Sequence, residues 1–158
     1  MAFTFTRVDG RAIHGQTVTL WSKIYSNNGI LLIDDEIALD PMMRQIYKNA
    51  AVGMSVFIYT QQDALIKAKQ ASESLKNYLL IVRSPLVLEF LEKNGVNIGK
   101  KITLGPVAQN ENRKPISQFT ALSVEEIASC DYLANLGKEV IFQSIPSTAV
   151  VRWESIKK

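Results

Sequence analysis

The chain has 158 residues, of which 47% are apolar and 21% are charged, a balance that fits an ordinary globular protein with a substantial core. Its net charge of +3 comes mostly from scattered lysines, whereas a nucleic-acid interface needs a denser basic stripe with interleaved aromatic side chains, so we expect no nucleic-acid partner. No apolar run approaches the roughly 20 residues that cross a bilayer.

The first residues and the cysteine content indicate the compartment. Met1–Phe5 lacks the charged and apolar regions of a secretory signal. A single cysteine, Cys130, excludes an internal disulfide and fits a reducing cytosol. Because Cys130 lies in a predicted helix, we expect a buried, inert thiol.

In the first third of the chain, short apolar runs alternate with amphipathic stretches. Phe3–Val8 alternates like a strand, and from Gln16 apolar residues recur at helical spacing until Asn27-Asn28-Gly29 ends the helix. Ile30–Ile33 is typical of a strand buried on both faces. Asp40-Pro41 provides an N-cap and a first-turn proline for a second helix. The predicted apolar face of that helix consists of Met42, Met43, Ile46, Tyr47 and Ala50.

The same alternation continues to the end of the chain. Strands are predicted at Ser55–Tyr59, Tyr78–Val82, Lys101–Leu104, Ile116–Leu122 and Val140–Gln143. Helices are predicted at Asp63–Ser72, after the cap Ser84-Pro85, and from the capping box of Ser123 and Glu126 to Gly137. Residues 105–114 are polar and aperiodic, which predicts a loop.

This order predicts the fold class: an α/β protein, a single domain over residues 1–158, with an open, mostly parallel sheet of about seven strands and helices on both faces. In such sheets, ligands bind beyond the carboxyl ends of the strands. The first loop at that edge carries His14, the only histidine of the chain. Architecture and residue type therefore point to the same segment.

The residues around His14 suit phosphoryl transfer. Imidazole is nucleophilic and protonatable near neutral pH, and Arg11 offers a planar fork for phosphate oxygens. The amides of Gly15, Gln16 and Thr17 would open the next helix and point at an anion. Asp9 could accept a hydrogen bond from His14 or orient Arg11.

Other kinds of site find less support. The glycine-rich motifs that hold nucleotides are missing from the sequence, so ATP is not expected as a bound donor. One histidine and one cysteine do not build a usual zinc site. Asp34-Asp35-Glu36 is acidic enough to hold a cation, but it reads more simply as a loop that caps a helix. Trp21 suggests core packing, and Trp153 a surface contact.

Two segments resemble a known family. Arg7–Gln16 reads R-V-D-G-R-A-I-H-G-Q, close to the pattern R-[IV]-D-x-R-L-[IL]-H-G-Q, and Ile33–Ala38 matches a second pattern, hydrophobic-[ND]-D-E-[VI]-A. The chain thereby resembles the IIB component of the mannose/fructose/sorbose class of the bacterial phosphoenolpyruvate-dependent sugar phosphotransferase system. The likeness continues along the whole chain as spacing.

The resemblance implies a concrete activity. His14 would be phosphorylated on Nδ1 by the phosphohistidine of a IIA domain, and would pass the group to a sugar held by the membrane components IIC and IID. Arg11 would stabilise the phosphate, with Gly15 and Gln16 matching phosphate-binding positions and Asp9 supporting them. It further implies a protein-Nπ-phosphohistidine–sugar phosphotransferase, without a cofactor or metal, in the cytoplasm at the inner face of the plasma membrane. The sugar would be of the mannose, fructose, sorbose or amino-sugar class.

The sequence departs from the family pattern near the candidate site. Gly10 replaces a common acidic residue and is expected to loosen the loop, and Ala12 replaces leucine and removes apolar contact beneath it. Leu104–Val107 also differs from the usual glycine-rich segment, which puts its partner contacts in question. These changes leave the nucleophile and Arg11 intact.

Two alternatives remain open at this level. One is a regulatory or docking module of the same fold that does not feed a transporter, and the altered loop residues are its only hint. The other is a small histidine phosphatase, for which no general acid is evident. The oligomeric state is also open, since the apolar edge around Ile141 and Val150-Val151 offers a surface for a partner or a second copy.

Overall fold

The computed structural model describes residues 3–156, and within this range the side chains of Gln16 and Thr17 are not described. Its strands are β1 (Phe3–Val8), β2 (Ile30–Ile33), β3 (Val56–Tyr59), β4 (Tyr78–Val82), β5 (Lys101–Leu104), β6 (Lys114–Pro115), β7 (Ala121–Leu122), β8 (Glu139–Phe142) and β9 (Val151–Arg152). Its helices are α1 (Gly15–Ile24), α2 (Asp35–Leu39), α3 (Pro41–Ala50), α4 (Gln61–Glu73), α5 (Pro85–Lys93), α6 (Val124–Asn135) and α7 (Trp153–Ile156).

Seven of the described strands form one sheet in the order β3-β2-β4-β1-β5-β8-β9. All neighbouring pairs are parallel except β8 and β9, which are antiparallel. Strands β6 and β7 make a separate two-stranded antiparallel ribbon. The predicted fold class, an open and mostly parallel sheet of about seven strands, is confirmed.

Helices cover both faces of the sheet because its central strands are apolar on both sides. In β2, Leu31 and Ile33 pack with α4 to α7 in one cluster, whereas Ile30 and Leu32 pack with α1 and α2 in the other. This is the period-two alternation of a strand. Each face therefore has its own core, and a continuous apolar run such as Ile30–Ile33 serves both.

Several helices begin at the polar residues and prolines where the sequence predicts a helix start. Asp40 accepts hydrogen bonds from the amides of Met42 and Met43, and Ser84 accepts one from Leu86. Ser123 and Glu126 form the reciprocal capping box expected from their spacing. None of the helices in the described residues is long and apolar enough to cross a membrane.

The predicted strand Ile116–Leu122 is wrong for most of its length. Only its last residues are paired: Ala121–Leu122 forms β7, and Thr120 makes an isolated bridge to Val107. Residues 116–119 turn, so that the amides of Ile116 and Ser117 both donate to the Thr120 carbonyl. Helix α2 was not predicted either, because its five residues are too few to show helical periodicity.

The end of the chain also differs from expectation. Trp153 is buried rather than a surface contact, because its ring stacks on Phe142 and its indole nitrogen donates to Asp131 at 2.8 Å. Strand β9 pairs with β8, with Val151 opposite Phe142. Part of the apolar edge considered for an external partner is thus covered by the chain itself.

Helix α3 is amphipathic as predicted, yet none of its described residues is fully buried. Met42 and Ile46 are more than half exposed, while Met43, Tyr47 and Ala50 are partly buried and pack against the core. The predicted apolar face of α3 is therefore only partly a packing face. Periodicity identified the helix but did not determine how deeply it sits.

Candidate functional site

The candidate site lies at one edge of the sheet, where the neighbouring parallel strands β4, β1, β5 and β8 end. The loop after β1 runs between the ends of β4 and β5: the Asp9 amide donates to the Val82 carbonyl at 2.9 Å, and the Gly10 amide donates to the Pro106 carbonyl at 2.8 Å. His14 then closes the loop as the N-cap residue of α1, with an extended backbone. The position predicted from the fold class is confirmed.

The carboxylate of Asp9 contacts the other polar side chains of the loop, Arg11 and His14. This carboxylate is fully buried and accepts hydrogen bonds from the Arg11 amide at 3.0 Å and from the Arg11 guanidinium at 3.2 and 3.3 Å. His14 Nε2 lies 3.5 Å from Asp9 Oδ2. The structure therefore brings together both contacts that the sequence offered as alternatives for Asp9.

Arg7 was not assigned a role from the sequence, but it completes the same cluster. Its guanidinium is fully buried, donates to Asp9 at 3.3 Å, and donates to the carbonyls of Gln143 and Ser144 at 2.9 and 2.7 Å. It also lies 5.2 Å from the centroid of the Trp21 ring. The available signal was an arginine inside an otherwise apolar, alternating strand, which requires a buried anionic partner.

Burial and charge both act on His14. A quarter of its side chain is exposed, and burial is the main cause that lowers its pKa from the ordinary value of 6.5. Arg11, and to a smaller extent Arg7, lower the pKa further, whereas Asp9 opposes the shift. At neutral pH the imidazole is therefore uncharged, the form in which it is a nucleophile.

The two departures from the family pattern fit the local backbone. A Cβ on Gly10 would lie 3.3 Å from Val107 Cα and 3.4 Å from the Pro106 carbonyl oxygen. Gly10 therefore packs closely against the segment after β5, and it does not loosen the loop that carries His14. Ala12 is fully buried and has a positive φ of 57°. It packs into the core on the α1 side of the sheet, so some apolar contact beneath the loop is kept.

The remaining predicted residues lie at the start of α1. Gly15 is its first residue, and among the described residues outside its own turn of helix no atom comes within 4 Å of where a Cβ would be. Gln16 follows in the first turn, but its side chain lies outside what the structure describes. Asp34, considered as a cation ligand, instead accepts from the Ile37 amide and caps α2.

Comparison with known proteins decides the family. The family model for the PTS system sorbose subfamily IIB component matches residues 3–158. The chain belongs to this family. IIB components are phosphotransferase domains of sugar-transporting systems, so this IIB component is a transferase of a sugar phosphotransferase system.

Individual relatives agree with this assignment. The IIB component is 27% identical over 147 residues to the N-acetylgalactosamine-specific phosphotransferase enzyme IIB component 2 of Escherichia coli K12, with 92% of each chain covered. It is 26% identical to the sorbose-specific EIIB component of Lacticaseibacillus casei, covering 96% of this chain and 94% of that one. The crystal structure of manxB from Thermoanaerobacter tengcongensis superposes with a TM-score of 0.87 at 30% identity, covering 98% and 93% of the two chains.

Proposed function

We propose that this IIB component carries a phosphoryl group on His14 Nδ1, accepting it from the phosphohistidine of a IIA domain and passing it to a sugar held by the membrane components IIC and IID. The observation that carries the proposal is the contact between His14 Nε2 and the buried carboxylate of Asp9. A carboxylate at this distance favours the tautomer with its proton on Nε2. The nucleophilic lone pair is then on Nδ1.

The transfer step follows from these positions. Nδ1 attacks phosphorus as the nitrogen–phosphorus bond of the donor breaks, and the donor imidazole leaves with the electron pair. The His14 ring gains positive charge as the new bond forms, because it keeps its Nε2 proton. Asp9 stabilises that charge, and the same contact helps to fix the ring orientation. In the second step the sugar hydroxyl oxygen attacks phosphorus as the His14 nitrogen–phosphorus bond breaks. The electron pair of that bond returns to Nδ1, which leaves His14 neutral, and the hydroxyl proton is released to water.

Arg11 and the start of α1 would hold the phosphate. The Arg11 guanidinium is half exposed while Asp9 holds it on its inner side, so its outer edge can meet phosphate oxygens. The amides of Gly15 and Gln16 belong to the first turn of α1, where the helix dipole favours an anion. The open space at Gly15 suits close approach of a phosphoryl group.

The remaining parts of the proposal concern partners and place. The sugar belongs to the mannose, fructose, sorbose or amino-sugar class, in keeping with relatives named for sorbose and N-acetylgalactosamine. The protein would act in the cytoplasm, at the inner face of the membrane that holds IIC and IID. One domain spans residues 1–158, and a homo-oligomer is compatible with this arrangement.

The first test is labelling of the protein by its phosphotransferase chain. The wild type should acquire a phosphate that is labile in acid and stable in base, and His14→Ala, with its fold checked by circular dichroism, should acquire none. Because His14 is the only histidine, NMR of the phosphorylated protein identifies the modified nitrogen directly. Label retained in His14→Ala, or phosphate on Nε2, would contradict the proposal.

Reconstitution separates a carrier from a regulatory module. With phosphorylated IIA domain, membranes containing IIC and IID, and the candidate sugars, a carrier forms sugar phosphate and His14→Ala does not. A module that is phosphorylated but never yields sugar phosphate would have a regulatory role. Rapid hydrolysis of a phosphomonoester by the isolated chain would favour a phosphatase instead.

A further inference from the structure

A cleft of about 400 Å³ opens beside the loop that carries His14. It lies between that loop and the segment after β5, and Arg11 lines both the cleft and the candidate site. Val107, which is almost fully buried, and Phe119 provide an apolar floor. Arg83, directly after β4, and Arg113 complete the wall.

The three arginines present their positive ends to the cleft. Each is paired with a carboxylate: Arg11 with Asp9, Arg83 with Asp34, and Arg113 with Glu126. In these three pairs the guanidinium is more exposed than the carboxylate, and Arg83 also lies 3.6 Å from the exposed carboxylate of Glu36, which does not line the cleft. None of the described residues that line the cleft is acidic. The pairs therefore act as dipoles whose positive ends point outward, and an anion in the cleft meets the guanidiniums first.

We propose that this cleft docks an acidic segment of the IIA donor domain, with carboxylates against the arginines and an apolar side chain on Val107 and Phe119. This inference rests on the proposed function and names the surface by which the donor is recognised. The cleft borders the reacting loop, so a segment seated in it brings its own protein over His14. A positive surface also attracts the phosphorylated donor before contact, which raises the association rate.

The charge of the cleft favours the donor over the membrane components. Cytoplasmic loops of membrane proteins carry an excess of lysine and arginine, and such loops are repelled by three outward guanidiniums. A donor that diffuses freely has no such bias and can present carboxylates. Docking by charge at a partly exposed rim is weakened by salt, since the Debye length falls to about 8 Å at physiological ionic strength.

Two substitutions test the cleft without touching His14 or Asp9. Arg83→Gln removes a guanidinium whose contacts with Asp34 and Glu36 are long, at 3.5 and 3.6 Å. Gln109→Glu introduces a carboxylate at an exposed lining position and leaves every arginine in place. The matched control is Arg152→Gln, which removes an exposed arginine of β9 that is paired with Glu139 and does not line the cleft.

The main measurement is binding of unphosphorylated IIA domain from the same system, by calorimetric titration at 50 and 300 mM KCl. Each cleft variant should weaken binding about three- to tenfold at low salt, and the loss should shrink at high salt. The control should bind like the wild type. Wild-type affinity in both cleft variants, or an equal loss in the control, would overturn the proposal.

Labelling by phosphoramidate distinguishes docking from chemistry. This small donor does not need the cleft, so both cleft variants should be labelled at the wild-type rate while transfer from phosphorylated IIA domain shows a raised KM. A parallel loss with phosphoramidate would place Arg83 in the chemistry and overturn docking. A wild type that binds IIA domain through the cleft but is labelled by neither donor would contradict the carrier function and leave the docking surface standing.

Sedimentation with anionic vesicles tests lipid as the occupant of the cleft. If the protein sediments with such vesicles, the cleft variants do not, and no binding to IIA domain is found, the surface binds lipid and the proposal is overturned.

Discussion

A single buried carboxylate organises the candidate site at the scale of residues. Asp9 is fully buried and faces the charges of Arg7 and Arg11 as well as His14. Removing a carboxylate from water costs several kcal/mol, and that cost is offset only by good geometry and several hydrogen bonds. The buried guanidinium of Arg7 also needs hydrogen bonds to offset the cost of its burial, and it makes them to Asp9 and to two carbonyl groups. The ring of His14 is thus oriented by a network that reaches to the end of β8.

The lowered pKa of His14 predicts a pH profile. In an NMR titration the single histidine should show a midpoint below 6.5, because burial and Arg11 disfavour the charged ring. The decline in labelling by phosphoramidate as the pH falls should therefore be centred below 6.5. Arg11→Ala should raise the pKa and slow transfer from phosphorylated IIA domain by an amount equivalent to about 2–4 kcal/mol. The charge-retaining control, Arg11→Lys, should keep the pKa low.

The same lowered pKa sets the sign of a stability effect. Because the folded pKa lies below that of the unfolded chain, the unfolded state binds the proton more readily, and His14 contributes a loss of stability as the pH falls through 6.5. A midpoint above 6.5 in the wild type would show that Asp9 outweighs burial, and would contradict both expectations.

Gly105 provides a test of Arg7 that leaves the arginine itself unchanged. A Cβ at this position would overlap the Arg7 guanidinium, so Gly105→Ala should lower the free energy of unfolding by about 1–3 kcal/mol. Urea denaturation measures this loss. The matched control is Gly15→Ala, where the added Cβ has no described atom within 4 Å beyond its own turn of helix. Equal stabilities of the two variants would mean that the guanidinium moves aside without cost.

At the scale of elements, helix α6 is tied to the sheet edge through its capping box. Glu126 is nearly buried and accepts hydrogen bonds from the Ser123 amide at 2.9 Å, from the Ser84 hydroxyl at 2.8 Å, and from Arg113 at 2.7 and 3.0 Å. Burial alone raises the pKa of Glu126, but these hydrogen bonds outweigh it and keep the pKa below its ordinary value of 4.5. Glu126 therefore links the start of α6 both to Ser84, the N-cap of α5, and to Arg113 in the wall of the cleft.

Two neighbouring glutamates allow a matched comparison. Glu126→Gln should cost about 3 kcal/mol of unfolding free energy, because the partly buried Arg113 guanidinium then loses the nearly buried carboxylate that it pairs with. Glu125→Gln, at an exposed position of the same turn, should stay within about 0.5 kcal/mol of the wild type. The difference should shrink below pH 4.5, since a group with a lowered pKa loses its contribution as the pH falls. A difference that is constant with pH would contradict the charge argument.

At the scale of the whole molecule, residues 151–156, the last that the structure describes, close one edge of the sheet. Trp153 is buried against Phe142, with ring centroids 5.6 Å apart, and packs into the core on the α4–α7 side. Its hydrogen bond to Asp131 joins this end of the chain to α6. The C-terminal segment is thus part of the main core rather than an appendage.

This packing predicts a large effect of truncating the indole. Trp153→Ala should lower the free energy of unfolding by about 3–5 kcal/mol, as for other aromatic residues in a core. Trp153→Phe keeps a ring on Phe142 but loses the hydrogen bond to Asp131, so its cost should be clearly smaller. Urea denaturation followed by circular dichroism compares them without relying on tryptophan fluorescence. A Trp153→Ala protein as stable as the wild type would show that the edge is closed without this residue.

The sequence by itself determined the order of the main elements, because apolar periodicity and capping residues are local signals. It located β1, α1 and the loop between them, and it identified His14, Arg11 and Asp9 as neighbours in one short segment. Tertiary structure alone decided which distant groups meet that segment. The carbonyls of Gln143 and Ser144 lie 136 and 137 residues from Arg7 along the chain, and no local pattern encodes such a contact. Burial of Trp153 and partial exposure of α3 were likewise decided by packing, because periodicity reports which face of an element is apolar and not what covers it.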